Sequence, residues 1–332
     1  MAAAKKKDHW IGFDLGGTKM LACVYGNDFV VKGRKRKKTK AHIGAEAGLQ
    51  RMIKTINEAL VDAGVAPDRL AGIGIGCPGP LDLDRGIVLE TPNMGWKNVP
   101  VAKVIRAAFN CPVVIANDVD AGVYGEYRFG AARGARCVVG VFPGTGIGGG
   151  CVYEGSIIRG KIGSCMEIGH LPVTADGPLC GCGRRGCLET YAARPAIAAA
   201  CAAAARRGEA PRLMEAADGD MNDIRSGAIA ASIRAGDAAV ERIVREAARR
   251  IGWSMAGVVN LLAPDVVLLG GGLVEAMPDI FRSEIESAIK ARVMSSMEGI
   301  FKVAVAELGG DAGVTGMAAW AEYIVENRGD GS

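Results

Sequence analysis

The densest group of chemically capable side chains falls within 18 residues, between His170 and Cys187. One imidazole, His170, and three thiols, Cys180, Cys182 and Cys187, make the Cys₃His donor set typical of a closed structural zinc site. Glycines interleaved with the cysteines allow so short a loop to fold around one ion. The other seven cysteines are scattered through predicted strands and helices, and we interpret them as unliganded buried thiols.

Three glycine-rich segments form a second chemical pattern. The first reads Asp14-Leu15-Gly16-Gly17-Thr18-Lys19 and is predicted to lie between two strands. Backbone N–H groups without a neighbouring Cβ can approach phosphate oxygens closely, and a carboxylate at a strand end can hold hydrated Mg²⁺. An ordinary hairpin turn would give the same pattern, so this segment alone does not decide.

The second and third segments cover 143–150 and 269–273. We expect nucleotide contacts at Gly144, Thr145 and Gly146 in the second segment, and at Gly271 and Gly272 in the third. The Walker A spacing is absent, and the glycines are predicted to lie between strands rather than between a strand and a helix, which argues against a dinucleotide fingerprint. Together, the three segments favour nucleotide-phosphate binding over simple turns.

The pair Asn117-Asp118 follows a predicted strand and precedes a predicted helix. A carboxylate at the carboxyl end of a sheet can accept the proton of an attacking hydroxyl. Either residue could instead cap the helix, and this motif alone favours capping.

Composition limits the class of protein. The chain has 332 residues with 49% hydrophobic content, only 5% aromatic residues and a formal net charge of +4. The mild charge requires no nucleic-acid partner, no apolar run is long enough to span a bilayer, and the basic start lacks the apolar core of a signal peptide. We therefore expect a cytoplasmic protein with reduced cysteines and no membrane partner.

The pattern of apolar residues predicts the strands and helices that position the candidate metal-binding, phosphate-binding and catalytic residues. A strand, glycine turn, strand unit is predicted twice, from residue 9 and again from residue 136, which indicates a duplicated α/β architecture. An apolar stripe predicts a helix that ends at Gly64. Further strands are expected at 28–37, 70–76, 113–116, 136–142, 151–153, 266–269 and 302–308, with helices at 101–109, between 194 and 262, and at 312–325.

With these motifs in their order, the chain resembles the ROK (repressor, open reading frame, kinase) family over essentially its whole length, most closely its glucokinase-like branch. The matching segments are 14–19, 76–80, 117–118, 144–150, 167–170 and 180–189. The resemblance implies two actin-like (ribonuclease-H-like) α/β domains flanking a cleft. We expect the small domain at 1–118 with a closing helix at about 312–332, and the large domain, with the zinc loop, at 119–311.

The resemblance also implies roles for individual residues. Asp118 would be the catalytic base, and one nitrogen of His170 would bind zinc while the other meets a sugar oxygen. The sugar-binding positions that the family pattern implies are Asn93, Asn117, Asp118, Glu167, His170 and Glu189. ATP with Mg²⁺ would be the donor and structural Zn²⁺ the second metal, in a homodimer or homotetramer.

The expected reaction is phosphorylation of a hexose 6-hydroxyl, with glucose as the first choice. N-acetylmannosamine, N-acetylglucosamine, fructose and allose kinases remain alternatives, because they share the same catalytic set. A sugar-binding repressor is a further alternative, but 13 residues precede Asp14, too few for a helix-turn-helix domain. Seven positive charges at 32–40 favour a solvated edge strand over a polyanion contact such as a polyphosphate donor.

Overall fold

The computed structural model describes residues 7–91, 94–161, 165–217, 219–220 and 224–327. These residues form two compact units, one drawn from 1–134, 156–165 and 310–332, and the other from 135–155 and 166–309. In chain order the strands and helices are β1 (His9–Leu15), β2 (Lys19–Gly26), β3 (Val31–Lys38), α1 (Ala45–Ala63), β4 (Leu70–Cys77), β5 (Leu81–Asp82), β6 (Ile87–Thr91), β7 (Trp96–Val99), α2 (Val101–Phe109), β8 (Val113–Asn117), α3 (Asp118–Phe129), β9 (Cys137–Pro143), β10 (Ile147–Tyr153), β11 (Ser156–Ile157), α4 (Glu189–Ala192), α5 (Arg194–Arg206), α6 (Leu213–Ala216), α7 (Ser226–Arg234), α8 (Ala238–Leu262), β12 (Val266–Leu269), α9 (Gly272–Ala276), α10 (Pro278–Lys290), β13 (Lys302–Val305) and α11 (Ala312–Asn327).

The first unit is built on a five-stranded sheet of order β3-β2-β1-β4-β8. The meander β1 to β3 is antiparallel, whereas β1, β4 and β8 run parallel. Because side chains alternate across a strand, one face of β1 presents Ile11, Phe13 and Leu15 to a core shared with α1. The opposite face, with Trp10, joins the cluster that α11 covers.

Register aligns the carboxyl ends of the parallel strands. Asp14 lies opposite Gly76 of β4, and Gly76 lies opposite Ala116 of β8. Asn117 closes β8, and α3 begins with the next residue. The sheet therefore brings two chemical motifs, separated by about a hundred residues of sequence, to the same edge.

The basic segment forms most of the edge strand β3. Lys35 and Lys37 both pair with Glu58 of α1, at 3.3 Å and 2.5 Å, and Arg34 pairs with Asp311 at 2.6 Å. This arrangement supports the interpretation as a charged edge strand, whose charges oppose pairing with another chain. The polyphosphate alternative stays a prediction.

The second unit contains strands in the order β10-β9-β12-β13. The hairpin β9–β10 is antiparallel, and β12 runs parallel to both β9 and β13. The long helix α8 packs against α10 and α5. At the end of β12, α9 begins at Gly272, so the third glycine segment lies between a strand and a helix. The expectation that all three segments join strands was wrong for this one, because the backbone turns directly into a helix.

Most predicted elements have the expected type, and the differences lie at their ends. The strand expected at 28–37 begins only at Val31, because the chain turns at residues 27–28 and Phe29 has a φ of 54°. The strand expected at 302–308 ends at Val305. Of the second glycine segment only 144–146 form the turn, since 147–150 belong to β10. The predicted boundary at residue 118 falls inside the first unit, because α3 packs along α11.

Among the described residues no helix combines the length and apolar character needed to cross a membrane.

The contact between α11 and α3 generates a stability prediction. A Cβ on Gly316 of α11 would lie 1.9 Å from the carbonyl oxygen of Ala121, so the two backbones could not stay as close. We expect Gly316→Ala to lower the free energy of unfolding by about 3 kcal/mol, because overpacking forces the backbones apart.

A matched control lies one turn earlier on the same helix. A Cβ on Gly313 would meet no atom within 4 Å, so Gly313→Ala should be neutral or stabilise by up to about 1 kcal/mol. Urea unfolding of both variants measures the difference, and equal stabilities would contradict the close packing of α11.

Candidate active site and metal centre

At the aligned strand ends of the first unit, Asn117 and Asp118 begin α3. The Val119 N–H donates to Asn117 Oδ1 at 2.9 Å and lies 3.0 Å from Asp118 Oδ1. Asn117 is thus the N-cap that the sequence allowed, and its amide nitrogen is not used by that cap. Asp118 remains exposed at the edge of the sheet, where a reacting group could reach its carboxylate.

The two carboxylates of this edge influence each other. Desolvation and, secondly, the negative charge of Asp118 raise the pKa of Asp14 to about 6, although Arg36 opposes the shift. Desolvation by surrounding protein also raises the pKa of Asp118, although part of that residue stays accessible to water. Two partly desolvated carboxylates that repel each other are the charge arrangement that a divalent cation relieves.

The turn at Gly16, Gly17 and Thr18 is held by a residue that sequence reasoning missed. The buried Thr39 hydroxyl donates to the Gly16 carbonyl at 2.6 Å, and the Thr39 N–H donates to the Thr18 carbonyl at 2.8 Å. With these carbonyls occupied, the exposed Thr18 and Lys19 side chains remain available for an anion. No local pattern marks Thr39, which simply follows the basic strand.

In the second unit the four predicted metal ligands converge. The ligand atoms of His170, Cys180, Cys182 and Cys187 all lie within 4.8 Å of one another. Cys180 Sγ is 3.6 Å from His170 Nδ1, and Cys182 Sγ is 3.7 Å from Cys187 Sγ. The structure therefore contains a candidate metal site at the predicted residues.

Short backbone bonds shape this metal loop, which we define as residues 178–187. The Cys180 N–H donates to the Arg184 carbonyl at 2.7 Å, and the Gly183 N–H donates to the Cys180 carbonyl at 2.9 Å. Gly186 has a φ of 73°, and a Cβ there would lie 1.9 Å from the Thr174 carbonyl oxygen. The glycine is therefore required for the loop to close.

Glu189 lies directly against the metal loop. Its Oε1 accepts from Cys180 Sγ at 2.9 Å and is 3.7 Å from His170 Nδ1. Desolvation raises the pKa of the Cys180 thiol to about 12, whereas the Arg184 N–H lowers the pKa of the exposed Cys182 thiol. Because Nδ1 is the ring nitrogen that faces the cluster, Nε2 of His170 is the one left for another partner.

The second and third glycine segments meet in the same unit. Val141 and Leu269 are opposite each other in the parallel pair β9 and β12, and the Gly270 N–H donates to the Val141 carbonyl at 3.2 Å. The expected contacts at Gly144–Gly146 and at Gly271–Gly272 therefore follow neighbouring strand ends. Bare backbone from two segments at one edge suits a ligand with phosphate groups.

Two predicted sugar contacts remain to be placed. Glu167 precedes the short helical turn that carries His170, and its carbonyl accepts from the His170 N–H at 3.0 Å, with the side chain exposed. Asn93 lies outside the described residues. Asn117 and Asp118 lie in the first unit, and Glu167, His170 and Glu189 in the second. Their roles as sugar contacts stay predictions.

This combination of an actin-like α/β fold, glycine turns at strand ends and a Cys₃His loop defines a class. The chain belongs to the ROK family, whose sequence pattern matches residues 10–324. The predicted family and the predicted fold class are confirmed.

Several of the relatives that this chain resembles are named glucokinases. The glucokinase of Streptomyces coelicolor is 32% identical over 311 residues, which cover 93% of this chain and 96% of that protein. The glucokinase of Thermotoga maritima is 33% identical over 326 residues, with coverage of 93% and 96%. The crystal structure of a ROK family glucokinase from Streptomyces griseus, in complex with glucose and AMPPNP, aligns with a TM-score of 0.80 at 31% identity, covering 95% of this chain and 99% of that one.

The raised pKa of Asp14 generates a prediction about stability and pH. The folded state favours neutral Asp14, and this advantage is present below the ordinary carboxyl pKa and lost as pH rises through about 6. At pH 8 the charged carboxylate therefore costs stability, and Asp14→Asn should stabilise the fold by roughly 1–3 kcal/mol more at pH 8 than at pH 3.5. Urea unfolding at the two pH values measures this difference.

Asp28 provides the control for that experiment. A hydrogen bond from Lys32 lowers its pKa, so Asp28→Asn should bring no gain in stability at pH 8. If Asp14→Asn shows the same pH dependence as Asp28→Asn, Asp14 is an ordinary exposed carboxylate.

Proposed function

We propose that this protein is a glucokinase, which transfers the γ-phosphate of ATP to the 6-hydroxyl of glucose. The observation that carries this proposal is that Asp14 of β1 and Asp118, which directly follows β8, lie at the same edge of the sheet, where the charge of Asp118 raises the pKa of Asp14. In a ROK family chain that has glucokinases among its relatives, this pair would supply a phosphate-side carboxylate and a base. The expectation of a sugar kinase agrees with the comparisons.

In the proposed mechanism Asp118 accepts the proton of the sugar hydroxymethyl group as that oxygen attacks the γ-phosphorus. The raised pKa of Asp118 makes its carboxylate a stronger base than an ordinary aspartate, yet still far too weak to ionise an alcohol beforehand. The proton therefore transfers late, as a loose phosphoryl-transfer transition state requires. Asn117, fixed by its capping bond, would orient a second sugar hydroxyl through its free amide nitrogen.

The phosphate groups would be held by the glycine turns. Thr18 and Lys19 of the first turn and the bare backbone at Gly144–Gly146 and Gly271–Gly272 offer donors to phosphate oxygens. Mg²⁺, when bound with ATP, would neutralise charge between the nucleotide and the Asp14 carboxylate. Positioning and charge stabilisation would then supply most of the rate.

The candidate metal site is proposed to hold structural Zn²⁺ on Cys180, Cys182, Cys187 and Nδ1 of His170. A tetrahedral Cys₃His set is closed to substrate, so the ion would order the loop rather than act on the reaction. Cys180 must lose its proton to bind the metal, and a thiolate cannot donate to Glu189. Metal binding would therefore release the Glu189 carboxylate for a sugar hydroxyl and fix His170 with Nε2 available.

The proposal also includes a cellular location and an oligomeric state. None of the ten cysteines, each within the described residues, forms a disulfide, which suits a reducing compartment, and ATP as donor makes the cytoplasm the proposed location. A homodimer or homotetramer is proposed from the family resemblance. A sugar-binding regulator without kinase activity is the alternative from another class, and turnover separates the two.

The activity itself is tested by sugar-dependent ADP release and the Asp118→Asn variant. Wild type should release ADP with glucose, and Asp118→Asn should lose at least about 10³-fold in kcat while glucose binding changes little, because the amide cannot accept the proton. Equilibrium glucose binding and thermal unfolding serve as controls for the variant. Turnover near that of wild type would remove Asp118 from the mechanism.

A panel of hexoses and amino-hexoses tests the substrate. Release only with N-acetylmannosamine or N-acetylglucosamine would overturn the glucose assignment and keep the kinase, and the same holds for fructose or allose. Sugar binding with no ADP release from any of them would favour the regulator. Replacing ATP by polyphosphate in the same assay addresses the donor.

The zinc proposal predicts one Zn²⁺ per chain, measured by elemental analysis of the purified protein. Cys182→Ser should lower the zinc content well below one, decrease the thermal unfolding temperature and weaken glucose binding, because the loop loses a ligand. Cys165→Ser is the control, since Cys165 lies outside the cluster and donates to the Ile158 carbonyl. Wild-type protein that contains no zinc after growth with zinc would contradict the proposal.

A further inference from the structure

Arg194 contacts the second glycine turn at two points. Its backbone N–H donates to the Gly144 carbonyl at 2.8 Å, and its guanidinium Nη2 donates to Thr145 Oγ1 at 3.0 Å. The turn is closed from within by the Gly144 N–H, which donates to the Gly146 carbonyl at 2.8 Å. Main chain and side chain of one residue thus fix both the backbone of the turn and its exposed hydroxyl.

The guanidinium contact decides what the Thr145 hydroxyl can do. A hydroxyl has one proton to donate and two lone pairs that accept, whereas a guanidinium only donates. Because Arg194 occupies a lone pair of Oγ1, the hydroxyl proton must point to another acceptor, and electron withdrawal by the cation makes that proton a better donor. Thr145 is therefore prepared to donate to an anion at the turn.

The position of Arg194 adds a second, independent argument. It is the first residue of the 13-residue helix α5, where the helix dipole already places partial positive charge. Within the described part of the chain no carboxylate pairs with its guanidinium within 4.0 Å, although many other arginines are paired. A cation at this end of a helix is unfavourable by itself, and a bound anion beside the turn would offset that cost.

We propose that Arg194 is a positioning residue for the nucleotide phosphates and acts through the hydroxyl of Thr145. This inference rests on the proposed kinase function and extends its phosphate site to a residue about fifty positions further along the chain. The ligand is the phosphate group of a nucleoside triphosphate.

The test compares Arg194→Met, Arg194→Lys, Thr145→Val and the double variant by KM for ATP, kcat and glucose affinity. We expect Arg194→Met to raise KM for ATP about tenfold, with kcat within threefold of wild type and glucose affinity unchanged. Arg194→Lys should recover part of the loss, because it keeps the charge but not the planar fork. Adding Arg194→Met to Thr145→Val should cost less than threefold further, since the hydroxyl through which Arg194 acts is already gone.

Arg206→Met, at the opposite end of α5, is the matched control and should leave KM for ATP unchanged. Independent, multiplying losses in the double variant, or equal losses of ATP and glucose affinity, would overturn the inference and indicate a merely structural contact. Unchanged KM for ATP in Arg194→Met would also overturn it. These outcomes are distinct from a failure of the proposed kinase function, in which the wild-type protein itself would release no ADP with any sugar.

Discussion

The first unit holds two carboxylates, Asp14 and Asp118, at the same edge of its sheet, where the charge of Asp118 raises the pKa of Asp14. The rest of the unit depends on this placement. Asp14 belongs to β1 and Asp118 directly follows β8, and β4 lies between these two strands in the sheet. Desolvation shifts the pKa of both carboxyls upward, and the charge of Asp118 adds to the shift of Asp14, which costs folding free energy at neutral pH. Carboxyl groups with raised pKa values are common at functional sites, where the charges take part in the chemistry. Phosphoryl transfer needs a cation site and a proton acceptor close together, which matches this pair.

The rest of that unit serves to hold the edge in place. The helix α11 covers one face of the sheet and approaches α3 through small residues, and α3 carries Asp118 at its first position. The first glycine turn is tied to the end of β3 through Thr39, and three basic residues of that strand, Arg34, Lys35 and Lys37, pair with Asp311 or Glu58. The positions of the candidate catalytic groups are thus set by packing well away from them.

In the second unit, candidate metal ligands rather than a packed core hold the metal loop in place. A loop with few apolar side chains has little core to stabilise it, and four metal ligands can replace that core. The loop then leads within two residues to Glu189, and five residues further to Arg194 beside the second glycine turn. The short helix α4 thus links the candidate metal site to Arg194, and the contact of Arg194 with Thr145 completes the connection to the second glycine turn.

Local patterns in the sequence determined much of this protein. Apolar periodicity predicted α1 and α2 closely, because it reflects which face of an element is buried. The Cys₃His spacing predicted which four residues come together as candidate metal ligands, since they lie within 18 residues of one another in the sequence. Element ends were less accurate, as at β3, where a positive φ at Phe29 delays the strand.

What only the tertiary structure decided involves residues distant in sequence. The approach of Asp14 to Asp118 depends on strand order and register, and the contacts of Thr39 with Gly16 and of Arg194 with Thr145 depend on where chain segments return. The choice of Nδ1 of His170 as the nitrogen facing the thiols likewise requires coordinates. The spacing of residues along a chain predicts periodicity and turns. It does not show which strand ends become neighbours, because strand order and register are set by packing of the whole unit.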